Sequence, residues 1–330
     1  SHLRRSGGRA AAVVLNSGNA NAATGAQGRS DAERTCSLAA TGLGCAPEEV
    51  LVCSTGLIGI PLPMEPLCQG LPAAVAGLSP DGGHAAAEAI LTTDTGPKLT
   101  VVAGEGVTVG GMAKGAAMLS PHLATMLAVL TTDADVQPDA LHRALAAGVE
   151  ASFNAVSVDG CTSTNDTVVL LASGRKGPVD GGAFADLVLR ACSHLAEQMV
   201  ADAEGATKLA RITVTGAVSD EEARVAARKV ADSQLVKCSL FGADPYWGRV
   251  VSELGSAGVG FDPERVSVAY GGEVVCRDGV AASHDPARVR AHLGQREVAV
   301  TADLGLGPGR GSVLTSDLTP GYVDENMRTS

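Results

Sequence analysis

Short apolar runs alternate with longer stretches that carry apolar residues at helical spacing, and this switching between two periodicities constrains the fold more than any single residue does. The strand-like runs are residues 11–16, 50–54, 99–103, 107–111, 126–131, 167–172, 211–215, 235–240, 266–269 and 297–302, with a last one at 312–317. They are rich in Val, Ile and Leu and are bounded by Gly, Pro, Asp or Asn. Helices are expected at 30–41, 138–153, 182–201, 223–231 and 245–256. The second places Leu141, Leu145 and Val149 on one stripe, and the third does the same with Phe184, Leu187, Ala191, Leu195 and Met199. Ser219-Asp-Glu-Glu222 reads as a capping box ahead of the fourth, and Pro245 opens the fifth. The result is an α/β protein. Because residues 99–111 form a strand, a tight turn and a strand with no helix between, the sheets are expected to be mixed. A domain boundary is expected in 174–183, near the turn Ser173-Gly-Arg-Lys-Gly-Pro178.

The core has to be built mainly from Ala, Val and Leu, since aromatic residues make up only 2% of the 330 positions while Gly occupies 41. Net charge is −11, with 7 basic and 9 acidic side chains in residues 1–124 and 18 and 27 in the rest. No basic stripe and no aromatic platform is present, which argues against nucleic acid as a partner. No apolar run reaches 18 residues, so no membrane span is expected. The eight Cys form no CxxC pair and no His pair has metal-ligand spacing. They read as reduced, buried small hydrophobes, with no metal and no organic cofactor, in a reducing compartment such as the cytoplasm.

One block carries chemistry of its own. Lys114-Gly-Ala-Ala-Met-Leu-Ser-Pro-His-Leu-Ala-Thr-Met-Leu127 contains an Ala124-Thr125 bond just before a strand-like run. A Thr hydroxyl is a poor nucleophile unless a base stands beside it, and its own α-amine becomes that base once the preceding peptide bond is cut. Taken alone, Thr125 is an ordinary β-branched strand residue. Ser54-Thr55-Gly56 ends a strand in a turn where a glycine lets backbone approach closely; alone it is a plain strand-to-loop turn. Lys114 alone is a solvated surface cation, and Glu204 a solvated helix-end carboxylate. The run Gly305-Leu-Gly-Pro-Gly-Arg-Gly311 is interrupted by Pro308 and reads as a turn before the last strand, not a nucleotide loop.

These blocks, in order, resemble those of the ornithine acetyltransferases, or glutamate N-acetyltransferases, of arginine biosynthesis. Asn16-Ser-Gly-Asn-Ala-Asn-Ala22, Ser54-Thr-Gly-Leu-Ile-Gly59, Thr92-Thr-Asp-Thr-Gly-Pro-Lys98, Asp159-Gly-Cys-Thr-Ser-Thr-Asn-Asp166, Glu204-Gly-Ala-Thr-Lys208, Ala243-Asp-Pro-Tyr-Trp-Gly-Arg249 and Tyr322-Val-Asp-Glu-Asn326 join the Lys114–Leu127 block in that resemblance. The family pattern has a further N-terminal segment that is not seen here, and the tail Asn326-Met-Arg-Thr-Ser330 is about one residue short with no Tyr after the Asn.

The resemblance implies stacked mixed sheets flanked by helices, a self-cleaving acyltransferase with an N-terminal nucleophile, and a smaller C-terminal α/β domain. It implies self-cleavage at Ala124-Thr125 into an α chain of residues 1–124 and a β chain of residues 125–330, assembled as an α2β2 heterotetramer. It implies acetyl transfer from N-acetylornithine to glutamate through Thr125, with Thr55 and Gly56 as the oxyanion hole. Thr92, Lys114, Thr125, Glu204, Asn326 and Ser330 are the implied substrate contacts, Thr92 being interchangeable with Thr93. Acetyl-CoA is a possible further substrate. Two other readings remain open at this point: an amidohydrolase or aminopeptidase using the same Thr, and a catalytically silent binding or assembly subunit.

Overall fold

The computed structural model describes residues 2–118 and 126–327, so Ala124, Thr125 and Ser330 lie outside the described residues. Along the chain the strands are β1 (Ala12–Asn16), β2 (Val50–Ser54), β3 (Lys98–Gly104), β4 (Val107–Lys114), β5 (Leu127–Thr132), β6 (Val156–Ser157), β7 (Thr167–Ala172), β8 (Leu209–Ala217), β9 (Ser267–Tyr270), β10 (Glu273–Arg277), β11 (Val280–Ala281), β12 (Glu297–Asp303) and β13 (Gly309–Ser316). The α-helices are α1 (His2–Arg5), α2 (Gly25–Leu43), α3 (Met64–Ala76), α4 (Gly83–Ala89), α5 (Pro138–Ala151), α6 (Gly181–Ala201), α7 (Asp220–Asp232), α8 (Gln234–Phe241), α9 (Gly248–Gly255), α10 (Pro286–Leu293) and α11 (Pro320–Asn326).

The described residues divide into two compact units. The first takes its residues from Ser1–Gly115, His122–Phe153 and Thr162–Leu195, the second from Ala116–Pro121, Asn154–Cys161 and Ala196–Ser330. The expected boundary at 174–183 is therefore displaced: the turn there only joins β7 to α6, and the division falls inside α6.

In the first unit β1 and β2 pair in parallel, with α2 as the crossover between them. Cys36, Ala39 and Ala40 of α2 pack on Val50 and Leu71. A second sheet runs β3-β4-β5-β7 and is mixed, as the tight turn at 104–107 requires. Glu105 and Gly106 both take positive φ in that turn, the conformation whose twist suits a two-residue hairpin. β5 and β7 are parallel and need a crossover, which α5 supplies.

The second unit is a seven-stranded mixed sheet in the order β11-β10-β9-β12-β8-β13-β6. Helix α7 lies on it through Ala223, Ala226, Ala227, Val230 and Ala231, all fully buried. The composition explains how close it comes. A Cβ on Gly309 would stand 2.3 Å from the Ser219 backbone, and one on Gly311 would stand 2.5 Å from the Arg224 nitrogen. Alanines on the helix meet glycines on the strand, and no aromatic side chain would fit between them.

Four expectations need correction. Residues 235–240 form part of helix α8 rather than a strand: Ser233 caps the helix by accepting the Val236 N–H at 3.4 Å, and Val236 and Leu240 face inward one turn apart. A six-residue apolar run carries too few periods to separate helix from strand. On that helix Cys238 is exposed, as is Cys161, so the picture of uniformly buried thiols fails at these two. The run 305–311 is only partly a turn, because β13 begins at Gly309. The capping box is half formed. Ser219 accepts the Glu222 N–H at 3.2 Å, while the Glu222 carboxylate accepts instead from the Gly260 N–H at 3.4 Å. No described helix is long and apolar enough to cross a membrane.

The glycine contacts give a paired expectation. Gly311→Ala should cost about 2–3 kcal/mol, because its Cβ meets backbone that cannot swing away. Gly70→Ala, inside α3 with nothing within 4 Å, should gain about 0.5–1 kcal/mol. Urea midpoints of the two variants check both signs.

Candidate active site

The loop after β2 is held by the loop after β1. Thr55 N–H donates to Asn16 O at 3.0 Å, Ala20 N–H to Leu57 O at 2.9 Å, and Asn19 Nδ2 to Ile60 O and Pro61 O at 3.0 and 3.1 Å. Ser54 Oγ donates to Asn16 Oδ1 at 2.6 Å. The Asn16–Ala22 motif is thus the clamp that shapes the Thr55–Gly56 turn. Gly56 is required there: φ is +130°, and a Cβ would lie 2.3 Å from the Gly18 carbonyl carbon. Thr55 is 1% exposed. Since its N–H is already used, what it offers the site is its hydroxyl.

Lys114, at the end of β4, is 3% exposed and is no solvated surface cation. Its Nζ donates to Thr92 Oγ1 at 2.6 Å and to Thr55 Oγ1 at 3.3 Å, and stands 3.5 Å from Asp94 Oδ2. The partner is Thr92, not Thr93. Because Thr55 Oγ1 accepts from an ammonium, its own hydrogen points elsewhere and is available to a developing oxyanion. Among the described residues the Gly56 N–H has no intramolecular acceptor.

Asp94 and Lys98 complete this cluster, and sequence reading did not single them out. Asp94 accepts from Lys98 Nζ at 2.5 Å and from Gly115 N–H at 2.7 Å. Burial by itself would raise the Asp94 carboxyl; the charges of Lys114 and Lys98 and the bonds from Lys98 and Gly115 more than offset it and hold the group below the usual carboxylate range. Two buried ammonium groups thus share one carboxylate. A signal was present in the sequence: strict alternation along β3 places Lys98 on the same face as Thr100 and Val102, so a cation turns inward.

β5 brings a third group. Leu127 is the cross-strand partner of Lys114, which places position 125 two residues upstream of that pairing. Met126 N–H donates to Asp166 Oδ1 at 2.9 Å. The neighbouring Asn165 donates to Ser54 O at 3.1 Å and to Ala20 O, tying the 159–166 motif to the clamped loops. Burial pushes Asp166 up to about 6, opposed by the Met126 N–H.

In the second unit Asn326 Nδ2 donates to Glu204 Oε2 at 2.7 Å. Their loop and helix are pinned together. Thr319 Oγ1 donates to Gly205 O at 2.7 Å and caps α11, while Asp317 accepts the Thr207 and Lys208 N–H groups at 2.8 and 3.0 Å. Behind them Lys237, 4% exposed, donates to Thr315 Oγ1 and Ser316 O at 2.6 and 2.7 Å. Burial brings that lysine down to about 8 despite Asp232, Asp159 and Asp317 nearby.

The ArgJ family model matches residues 1–329. The chain belongs to the ArgJ family. It is 48% identical over 324 residues to the arginine biosynthesis bifunctional protein ArgJ of Thermobifida fusca, covering 98% of this chain and 84% of that one. It is 49% identical over 325 residues to ArgJ 1 of Streptomyces clavuligerus, with the same coverage. Its fold is similar to the crystal structure of the ArgJ protein of Bacillus halodurans, with a TM-score of 0.57 at 36% identity over 60% of this chain and 96% of that one.

Within this ArgJ-family chain the Thr55, Thr92 and Lys114 expectations converge on one cluster of the first unit, and Glu204 and Asn326 meet in the second. Asp94→Asn should cost about 3–5 kcal/mol at pH 7, because it removes the carboxylate that two buried cations share. Lys98→Met should cost less, since Asp94 and Lys114 remain paired. The contribution of a carboxylate lowered by folding is complete above its unfolded pKa of about 3.9 and is lost as pH falls through its lower folded value. Urea titrations should therefore show the gap between wild type and Asp94→Asn closing in that acid window.

Proposed function

We propose that this chain cuts itself at Ala124-Thr125 and then moves an acetyl group from N-acetylornithine to glutamate through an acetyl-Thr125 ester. In the first phase the Thr125 hydroxyl attacks the Ala124 carbonyl, and water hydrolyses the resulting ester. The α chain then ends at Ala124 and the β chain begins at Thr125 with a free α-amine. In the second phase that amine takes the hydroxyl proton as Thr125 Oγ bonds to the acetyl carbon. The proton leaves on the ornithine amine as the C–N bond breaks. The glutamate amine then attacks the ester and regenerates the Thr125 hydroxyl.

The observation that carries this reading is the Lys114–Thr55 contact. It turns the Thr55 hydroxyl into a donor beside the Gly56 N–H, the pair of groups that an acetyl-transfer oxyanion needs. The lysine-bearing cluster of Lys98, Lys114 and Asp94 suits substrates that both carry an α-carboxylate. Lys114 and Thr92 are assigned to that carboxylate. Glu204 and Asn326 are assigned to the amine-bearing side chain of ornithine, and Ser330 completes the set carried by family likeness. The relatives are named bifunctional; on this reading the second activity acetylates glutamate from acetyl-CoA. No other cofactor enters. The chains assemble as α2β2, which light scattering of the purified enzyme reads directly. The cytoplasm, which keeps thiols reduced, is the proposed compartment.

Thr125→Ala should give one uncut chain by intact mass and no acetyl transfer, where the wild type gives two chains. A variant that still splits at this bond, or still transfers, overturns the assignment. Net release of acetate in place of N-acetylglutamate would make the protein an amidohydrolase.

Glu204→Gln should lower kcat/KM for N-acetylornithine about tenfold more than for glutamate, the scale of one lost charged hydrogen bond. Equal losses for the two substrates count against the contact.

A further inference from the structure

Asn165 stands two residues before β7, in the Asp159–Asp166 motif, none of whose residues the proposed reaction uses. Its side-chain amide spends both hydrogens: Nδ2 donates to Ser54 O at 3.1 Å and to Ala20 O. At the other end Oδ1 accepts from Thr164 Oγ1 at 2.6 Å. The backbone is engaged as well. Its N–H donates to Ser163 Oγ at 3.1 Å, and its carbonyl accepts from Thr167 Oγ1 at 3.0 Å. Turning the amide round would set an oxygen against two carbonyl oxygens, so only one orientation fits.

The amide holds the peptide unit in front of Thr55. The carbonyl of that unit, Ser54 O, accepts from Asn165, and its N–H, on Thr55, donates to Asn16 O at 3.0 Å. A planar unit held at both ends cannot rotate. The next unit carries the Gly56 N–H, and the one after it is held by the Leu57 N–H on Gly18 O at 3.4 Å. Ala20 O, the second acceptor, belongs to the loop on which Gly56 packs.

The residues that follow Asn165 hold the entry to β5. Asp166 Oδ1 accepts the Met126 N–H at 2.9 Å, and the Thr167 N–H donates to Met126 O at 3.0 Å. Both backbone groups of Met126 are thus spent on the next two residues of the same run. Consecutive Cα atoms stay about 3.8 Å apart, so these attachments cannot drift independently. Asn165-Asp166-Thr167 ties the Thr55–Gly56 turn to Met126 through one short stretch of chain.

We propose that Asn165 is a positioning residue for acetyl transfer: it aims the Thr55–Gly56 oxyanion hole and sets its distance from Met126, the residue that leads into β5. This rests on the reading of Thr55 and Gly56 as the hole. Donors to an oxyanion act only if they stand in place before the charge develops, and a displacement of about 1 Å costs on the order of a hundredfold in rate. Asn165 acts through Ser54 and Ala20 and touches no reacting atom. Its two hydrogens matter, not its bulk.

Two measurements on the full-length chain test the proposal. In cut enzyme, Asn165→Ala should lower the rate of Thr125 acetylation at saturating N-acetylornithine about a hundredfold. Asn165→Asp keeps the shape but turns the donor end into an acceptor, so it should lose at least as much. A rate near wild type in either variant overturns the proposal. Combined with Thr55→Ala, Asn165→Ala should cost several-fold less than it does alone, because part of what it aims is gone. Losses that multiply to within about twofold mean that the two residues act independently, and they overturn it too. The second measurement needs no cleavage, so it decides even if the variants cut slowly. In a Thr125→Ala background, adding Asn165→Ala should speed amide hydrogen exchange at Thr55 and Met126 about tenfold and leave β8 and β12 unchanged. Unchanged exchange at Thr55, or a rise across all strands, overturns the proposal. A wild-type rate in Thr55→Ala alone removes the oxyanion-hole reading, and this proposal with it.

Discussion

One carboxylate, Asp94, makes the first unit's site possible. It is fully buried, it faces two buried ammonium groups, and it accepts the N–H of Gly115 where β4 ends. Isolated ammonium groups do not survive in such a place; they lose their protons or pull in water. Asp94 pairs with both, and Lys114 can turn the Thr55 hydroxyl and hold Thr92. The same contacts fasten the 92–98 loop to the strand that leads toward position 125. Charge balance and chain geometry are here one constraint.

Much of the architecture was legible because it follows from periodicity. β3, β4, β7 and β12 alternate or run apolar over enough residues to be read directly, and α5 and α6 show an unambiguous stripe. The failures share a cause. α8 is short, its inward positions include Lys237 and Ser239, and its apolar letters imitate a strand. α3 and α4 were not read as helices because Gly, Pro and Ala dominate them, and β11, two residues long, is too short to show a pattern. Glycines at 309 and 311 looked like a turn because single-chain reading cannot see that α7 presses on them.

The site divides along the same line. Thr55, Gly56, Thr92, Lys114, Glu204 and Asn326 were named through likeness to a family, and among the described residues they fall into two polar clusters rather than scattering over the surface. Asp94, Lys98 and Asp166 sat inside quoted motifs without being singled out. Their importance lies in burial and in which neighbour each faces, and neither is written in residue type alone.

The pairing of β4 with β5 has a kinetic consequence. Val109 to Lys114 on one strand face Leu127 to Thr132 on the other, joined by the segment that contains Ala124-Thr125, where the cut is proposed. While that bond is whole, the two strands find each other as parts of one molecule, at an entropic cost that grows only slowly with loop length. After a cut, the same hydrogen bonds join two molecules, and regaining them from the unfolded state becomes a second-order encounter. The cleaved enzyme is then guarded by the rate at which its sheet opens, not by its ability to reform. A cut at the proposed bond would have to follow folding, because only the uncut chain carries both halves of the sheet to the same place.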